Sequence, residues 1–398
     1  MAPVQLGIIG ANPDRGWALS AHLPALQALG GERIAIRAVS TRRMDTANRA
    51  ASLFGAEAAY DDYNALLADP AVEAVTVAVK LPHHHEIVSA ALQAGKHVFC
   101  EWPLGRTVDE AADLAARARA AAVHSMIGLQ ARASPELAFL RRLIEDGYLG
   151  ELRSVSVVAS GFGWGDAIDA DQTYLFDRSS GATMLSITGG HLMDAVQMVC
   201  GELTALSSVL ATRTGRVAVL PLGELARRRR YDAVLDFEGK AEGDPSVIPV
   251  REAFTPSAPD QVLVAGLLAG GAPISIHIRG GSLRGSGLLI ELTGSDGELR
   301  VAAPAGVIQM MPLKLFGARG AQAELKLLEP PPGDEASALQ ALSPVSANVA
   351  RLYRAFAADI RSGRRSVPDF DLALSRHRML AAIEAADMTG ARQSLPAN

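Results

Sequence analysis

The stretch that most limits what this chain can become is its first. The apolar run Val4 to Ile9 is followed by Gly10-Ala11-Asn12-Pro13-Asp14-Arg15-Gly16-Trp17, and helical periodicity continues from Ala18 to Leu29. A strand, a glycine-bearing turn and a helix in that order present backbone N–H groups and a helix N-terminus to a pyrophosphate. Gly10, Asn12, Pro13, Gly16 and Trp17 are therefore candidate dinucleotide-binding residues. The spacing departs from GxGxxG, because five residues separate Gly10 from the next glycine. An ordinary strand-to-helix connection has the same outline, so the decision falls to the rest of the chain.

The alternation continues. Arg33 to Ser40, Glu57 to Tyr60, Val72 to Val79, His97 to Cys100 and Ser125 to Gln130 read as strands. Arg43 to Leu53, Tyr63 to Ala68, His84 to Ala94 and Val108 to Ala121 read as the helices between or after them. Such alternation builds a parallel sheet with helices on both faces, which binds ligands at the carboxyl ends of its strands. An α/β, doubly wound Rossmann domain is expected over residues 1–129. At 398 residues the chain is too long for one core, so residues 130–398 are expected to form a second, α+β domain.

In that second part Pro135 to Asp146 is helical, with Gly147 as its stop signal, and Leu152 to Ser160 alternates like a half-exposed strand. Further strand-like runs are Ala205 to Thr212, Ala233 to Phe237, Gln261 to Leu268, Pro273 to Arg279, Leu288 to Thr293 and Glu298 to Ala302, with Gly270-Gly271 as a hairpin turn. Pro330 to Glu335 reads as a loop, and Asn348 to Arg361 and Asp371 to Thr389 as closing helices. Strands without helices between them predict a large, open, mostly antiparallel sheet, one face covered by helices that include Gly189 to Cys200. Its other face is solvated or paired with another subunit, and a homodimer or homotetramer through that sheet is expected.

Composition narrows the partners. A net charge of -5 gives no electrostatic reason to bind nucleic acid or an anionic membrane, and the basic run Arg227 to Arg230 reads as a solvated segment. Two cysteines, Cys100 and Cys200, in apolar surroundings predict buried thiols in a reducing compartment. With no secretory leader pattern and no run of membrane-spanning length, a cytoplasmic protein is expected.

The strand ends carry the chemistry. The second strand closes on Ser40-Thr41-Arg42-Arg43, with no acidic residue to bond ribose hydroxyls. Hydroxyls beside two arginines suit a 2′-phosphate, so NADP is expected over NAD. The fourth strand closes on Val79-Lys80-Leu81-Pro82 and three histidines, His83 to His85. Adjacent side chains diverge and no further ligand stands at metal spacing, so no metal site is expected. Val79, Lys80 and His84, with Glu101 and Trp102 ending the fifth strand and Gln130 ending the sixth, share one sheet edge and are candidate cofactor contacts. His191, opening a helix in Gly189-Gly190-His191, is a candidate acid, base or donor to a substrate oxygen.

The order of the Gly10 turn, Gly95-Lys96-His97-Val98, Glu101-Trp102-Pro103, Gly147-Tyr148-Leu149-Gly150, Gly181 to Asp194, Gly294 to Leu299 and Val367-Pro368-Asp369-Phe370 resembles the glucose-fructose oxidoreductase, inositol dehydrogenase and rhizopine-catabolism (Gfo/Idh/MocA) family. The resemblance covers nearly the whole chain. It implies a Rossmann domain, a C-terminal domain whose open sheet often joins subunits, and NAD(P)-dependent chemistry on sugars and polyols. Gly10 to Trp17, Glu101-Trp102 and Leu129-Gln130-Ala131-Arg132 are similar to the branch of the yeast galactose-regulon repressor, a regulator that keeps the nucleotide site.

Two departures matter. Family dehydrogenases carry Glu-Lys-Pro, and the lysine's place holds Trp102, whose indole donates one hydrogen bond but carries no titrating proton. The family's aspartate four residues before the histidine is Ile187. His191 is left from that set, and Lys80 is the cation placed to substitute for the lysine. The expected function is hydride transfer between nicotinamide and a sugar- or polyol-like alcohol or carbonyl; the alternative is a non-catalytic nucleotide-binding regulator. Gly161-Phe162-Gly163-Trp164-Gly165-Asp166 offers an aromatic platform for a carbohydrate.

Overall fold

The computed structural model describes residues 2–161, 163–225, 234–236, 247–281, 287–331 and 337–396. Arg227 to Arg230, Phe162, the ends of the run Ala233 to Phe237 and Pro332 to Glu335 lie outside the described residues.

The first sheet has six strands, β1 (Val4–Ile9), β2 (Ile34–Ser40), β3 (Ala58–Tyr60), β4 (Ala74–Val77), β5 (His97–Glu101) and β6 (Ser125–Gly128), all parallel and ordered β3-β2-β1-β4-β5-β6. Strand order reverses between β1 and β4, which opens a crevice at the carboxyl ends. Every residue of β4 and β6 is buried, as expected for strands covered on both faces. The connecting helices are α1 (Leu23–Ala28), α2 (Met44–Phe54), α3 (Tyr63–Ala68), α4 (His84–Gln93) and α5 (Val108–Ala120). Thr107 caps α5 by accepting from the Glu110 N–H at 3.1 Å. The expected helix from Ala18 differs in detail: Ala18–His22 winds as a π turn before α1 begins. The fourth strand is shorter than expected, which leaves Val79 and Lys80 in the turn that follows it, and Gln130 opens a short 3-10 turn beyond β6.

The second sheet is mixed and mostly antiparallel. Its order is β19-β18-β17-β16-β7-β15-β14-β9-β20, with β7 (Leu152–Gly161), β9 (Leu203–Ala211), β14 (Gln261–Leu268), β15 (Pro273–Gly280), β16 (Leu288–Gly294), β17 (Gly297–Ala303), β18 (Lys314–Arg319), β19 (Lys326–Leu328) and β20 (Gln393–Ser394). At its centre β15 and β7 run parallel, a pairing that alternation alone did not predict. Gly270-Gly271 turns the β14–β15 hairpin as expected. A small sheet of β8 (Ala167–Asp169), β10 (Val217–Leu220) and β13 (Glu252–Phe254) was not foreseen, because its strands are too short to show a period; the expected run Ala233 to Phe237 is seen as β11 (Val234–Asp236), paired in parallel with β12 (Val247–Pro249).

Helices α6 (Pro135–Glu145) and α7 (Gly190–Cys200) pack on the inner face of the large sheet, where Leu140, Val196 and Ile290 meet. The outer face carries a row in register, Val209, Leu263, His277, Val158 and Leu289, and Val209 and Leu263 remain 57% and 39% exposed. After α8 (Ser337–Gln340), helix α9 (Pro344–Ser362) returns to the first sheet: Val349, Tyr353 and Phe356 share a core with Leu6, Ile8 and Leu26. Helix α10 (Phe370–Thr389) lies against both α5 and β9 and so bridges the two halves.

Candidate functional site

At the first turn Gly10 has φ +95°, and a Cβ there would stand 2.6 Å from the Ala78 carbonyl oxygen. Only glycine lets β1 turn so close past the end of β4. The Ser40 carbonyl oxygen accepts from the Gly10 and Ala11 N–H groups at 3.0 and 3.3 Å, which fastens the turn to β2. Asn12 Oδ1 accepts from the N–H groups of Asp14 (2.9 Å) and Arg15 (3.2 Å) and shapes the loop. Pro13 and Trp17 are half-buried, the Trp17 indole nitrogen is buried without a partner, and Gly16 borders open space. No side chain caps the helix that opens at Trp17; the Ser20 N–H donates to the Gly16 carbonyl at 3.1 Å, and the N–H groups ahead of it have no acceptor within the helix. An uncapped helix end beside a glycine turn fits a pyrophosphate.

The four residues expected to clamp a 2′-phosphate are not equivalent. Ser40 is buried and contributes its carbonyl to the turn. The Thr41 hydroxyl donates to the Arg43 carbonyl at 2.9 Å, at the start of α2. Arg43 forms two bonds to Asp45, at 2.9 and 3.0 Å. Arg42 alone crosses the mouth of the turn, its Nη2 lying 2.8 Å from His83 Nε2.

The three consecutive histidines part company. His83 meets Arg42, and His85 Nε2 lies 2.8 Å from Asp113. The fully enclosed His84 places its ring nitrogens 2.8 Å from the Pro103 carbonyl oxygen and 3.0 Å from that of Val79. Burial holds its imidazole below the usual range, and its place ties the end of β4 to the end of β5. Among the described residues no group of three His, Cys, Asp or Glu side chains is arranged to hold a metal ion. Lys80 donates to the Asp171 carbonyl at 2.7 Å and stands 4.7 Å from the Tyr174 ring centre. Arg15 pairs with the Asp171 carboxylate at 2.9 Å. The segment Ala170–Phe176 of the second domain thus straps itself to both the glycine turn and the end of β4.

At the end of β5 the Glu101 carboxylate is buried. Gln130 Nε2 donates to its Oε2 at 2.6 Å, and His22 Nε2 lies 3.0 Å from its Oε1 in a contact without hydrogen-bond alignment. Behind it, His22 Nδ1 meets the Tyr353 hydroxyl at 2.7 Å, and that hydroxyl lies 2.8 Å from Thr76 Oγ1. Trp102 turns inward. Its indole nitrogen donates to the Ser186 carbonyl at 2.8 Å, and its ring lies 4.9 Å from that of His377. Its one donor is therefore already spent on the backbone. Trp164 is buried as well and donates to the Leu175 carbonyl at 3.2 Å.

His191 sits in the first turn of α7, buried, with Nδ1 unpartnered. Burial drives its pKa down to about 4, against the opposing pull of Glu101 and then Asp194. Two further polar atoms nearby in the sequence of contacts are buried without partners: Thr188 Oγ1, three residues before His191, and Oε1 of the Gln130 that holds Glu101. Helix α7 is anchored one turn on, where Asp194 receives bonds from Arg132 (2.7 and 2.8 Å) and Arg376 (2.8 Å). Arg376, 1% exposed, also holds Glu202 at 2.5 and 2.7 Å. Leu129-Gln130-Ala131-Arg132 is thereby a two-handed motif, with Gln130 on Glu101 and Arg132 on the histidine's helix. His22, Thr188, Asp194 and Arg376 escaped the reading of the sequence, because their roles depend on partners far along the chain that no local pattern marks.

Residues 4–129 match the Gfo/Idh/MocA oxidoreductase family with NAD-binding Rossmann fold, and residues 135–241 match the Gal80p C-terminal domain. Dehydrogenase aclE of Aspergillus oryzae is 33% identical over 211 residues, which span 51% of this chain and 56% of that protein. The galactose/lactose metabolism regulatory protein GAL80 of Saccharomyces cerevisiae is 23% identical over 98% of this chain and 94% of its own. The crystal structure of a super-repressor mutant of that protein superposes with a TM-score of 0.83 at 21% identity, covering 99% of this chain and 98% of the other. Levoglucosan dehydrogenase in complex with NADH and L-sorbose superposes with a TM-score of 0.78 at 20% identity over 99% of both chains. At these identities the superpositions establish the fold.

Proposed function

Because this chain belongs to the Gfo/Idh/MocA oxidoreductase family, its Rossmann domain followed by one of the Gal80p type, we propose that it is an NAD(P)-dependent oxidoreductase acting on a sugar- or polyol-like alcohol or carbonyl. The observation that carries this reading is the unpartnered Nδ1 of buried His191 within the field of Glu101, flanked by the unpartnered Thr188 hydroxyl. Buried polar atoms normally find partners, and a group of them left open at the carboxyl edge of a doubly wound sheet is a place for a polar ligand.

Hydride exchange is the chemistry that a bound nicotinamide supplies. The turn from Gly10 to Gly16 and the uncapped helix after it would hold the pyrophosphate, Arg42 would meet the adenosine ribose, and Glu101 and Gln130 would face the nicotinamide end. His191 is neutral at physiological pH, so its open nitrogen can accept an alcohol proton when bare or, in the other tautomer, donate its N–H to a carbonyl oxygen. The Glu101 charge favours the imidazolium that proton uptake creates. Lys80 is held by Asp171 and Tyr174, so its contribution is to fasten the strap over the turn. Preference for NADP, a boundary near residue 129 and association through the outer face of the large sheet belong to the same reading.

One observation favours a second reading, a nucleotide-binding regulator without turnover. Trp102 occupies the place of the family's lysine and spends its N–H on Ser186, and the match to GAL80 runs almost end to end.

The two are separated by screening sugars, polyols and their keto forms for hydride transfer with both cofactors, alongside direct nucleotide titration. Turnover of at least one class is expected, and His191→Asn should lower kcat by about 100-fold or more while changing nucleotide Kd by less than about twofold. Nucleotide binding with no turnover across the panel would replace the enzyme by the regulator.

A further inference from the structure

Four guanidinium groups ring the first turn, and three of them are matched by carboxylates. Arg15 pairs with Asp171 at 2.9 Å, Arg43 with Asp45 at 2.9 Å, and Arg49 with Asp14. Arg42 meets no carboxylate among the described residues; its partner is the imidazole of His83, Nη2 to Nε2 at 2.8 Å. The nearest acid on α4, Glu86, is engaged by the Tyr63 hydroxyl, which donates to it at 2.6 Å. Lys80 points to the Asp171 carbonyl.

The Arg42–His83 bridge also has a telling position. Arg42 follows β2, whose Ser40 carbonyl fastens the Gly10 turn, and His83 lies beyond β4 in the segment whose first residue, Ala78, packs against Gly10. The contact therefore spans the carboxyl end of β1 from one neighbouring strand to the other, beside the place where adenosine ribose lies in a doubly wound fold. Since Arg42 can only donate, His83 Nε2 accepts from it and Nδ1 carries the N–H, so a phosphate seated there would meet an uncompensated guanidinium and an imidazole donor, a pairing that suits a dianion.

We propose that Arg42 and His83 together read an adenosine 2′-phosphate, and that Arg43 takes no direct part. This rests on the dinucleotide site proposed above and assigns the cofactor preference to a residue, His83, that belongs to the histidine tract rather than to the end of the second strand. Arg43 already has its charge matched locally: its Nε and Nη2 both donate to the carboxylate of Asp45, two residues on in its own helix start, so it offers the turn no uncompensated cation.

The test uses the full chain and four probes: NADPH, NADH, adenosine 2′,5′-bisphosphate and adenosine 5′-monophosphate. Wild type is expected to favour NADPH and the bisphosphate. His83→Ala and Arg42→Ala should each erode both preferences by about tenfold through weaker binding of the 2′-phosphorylated probe, with NADH and the monophosphate changed less than about twofold. Arg43→Ala should leave all four within about twofold. Loss of preference in Arg43→Ala with His83→Ala unaffected would overturn the assignment, as would a wild type indifferent to the 2′-phosphate while still binding NADH. Failure of wild type to bind any of the four would instead strike the dinucleotide site itself. Retained NADH binding in each variant reports that the turn has folded.

Discussion

A methyl group added at Gly190 tests why tryptophan is accepted at position 102. Gly190 has ordinary helical dihedrals, φ -60° and ψ -50°, so its backbone does not require glycine. Space does: a Cβ there would lie 2.6 Å from the Trp102 indole nitrogen, 2.8 Å from Cζ2 and 2.9 Å from Cε2. The indole cannot step aside, because it is 6% exposed, packed on His377 and bonded to the Ser186 carbonyl. Overpacking of this kind costs about 1–3 kcal/mol, and breaking the buried indole bond adds about 1 kcal/mol. Alanine's better helix propensity returns about 1 kcal/mol. Gly190→Ala is therefore expected to destabilise the protein by about 1–3 kcal/mol. In a Trp102→Ala background the methyl enters vacated space, and the same substitution should be neutral or stabilising by up to about 1 kcal/mol. Urea unfolding of the four proteins gives the coupling energy, expected at about 1–4 kcal/mol with m values unchanged. A coupling below about 0.5 kcal/mol would refute the steric account. The reason would then lie in the helix start at His191 and not in the indole.

Acid should weaken the fold through its neutral histidines. Burial holds His191 and His377 at about 4, and both charge near 6.5 once unfolded. Between those values the unfolded chain binds protons that the native one refuses, so the stability is fully present above about pH 6.5 and is lost as pH falls toward 4, by at most about 3 kcal/mol for each group. The urea midpoint should drop across that window, and His377→Gln should flatten the drop by about one proton's slope; an unchanged slope would remove His377 from the account. On the outer face of the large sheet, Leu263→Asp should weaken self-association by about 100-fold or more, read by light scattering at constant circular dichroism. An unchanged mass would show that subunits meet elsewhere.

Much of the fold was legible because its signals are local. The alternation of apolar runs and helical periods announced the parallel sheet, and the β14–β15 hairpin followed from Gly270-Gly271. The central parallel pairing of β7 with β15 was not legible, since it joins strands far apart in the chain and pairing direction leaves no mark on either one. The small sheet was missed because strands of three or four residues carry no period.

In the site the division is similar. Residue types and order determined where the glycine turn and the strand-end residues would gather, because a doubly wound sheet brings all its strand ends to one edge, whereas His191 comes from α7 and only the fold brings it near Glu101. What each group can do there was decided by tertiary structure. Arg42 and Arg43 are neighbours of equal charge, yet Asp45 neutralises one and leaves the other to His83. The Trp102 donor is consumed by Ser186, and Glu101 is backed by His22, which in turn meets Tyr353, 331 residues further along than that histidine. His191 is neutral because the fold removes water from it. Charge state, donor availability and freedom from a partner depend on what a side chain meets across the molecule, and only the packed chain makes those meetings.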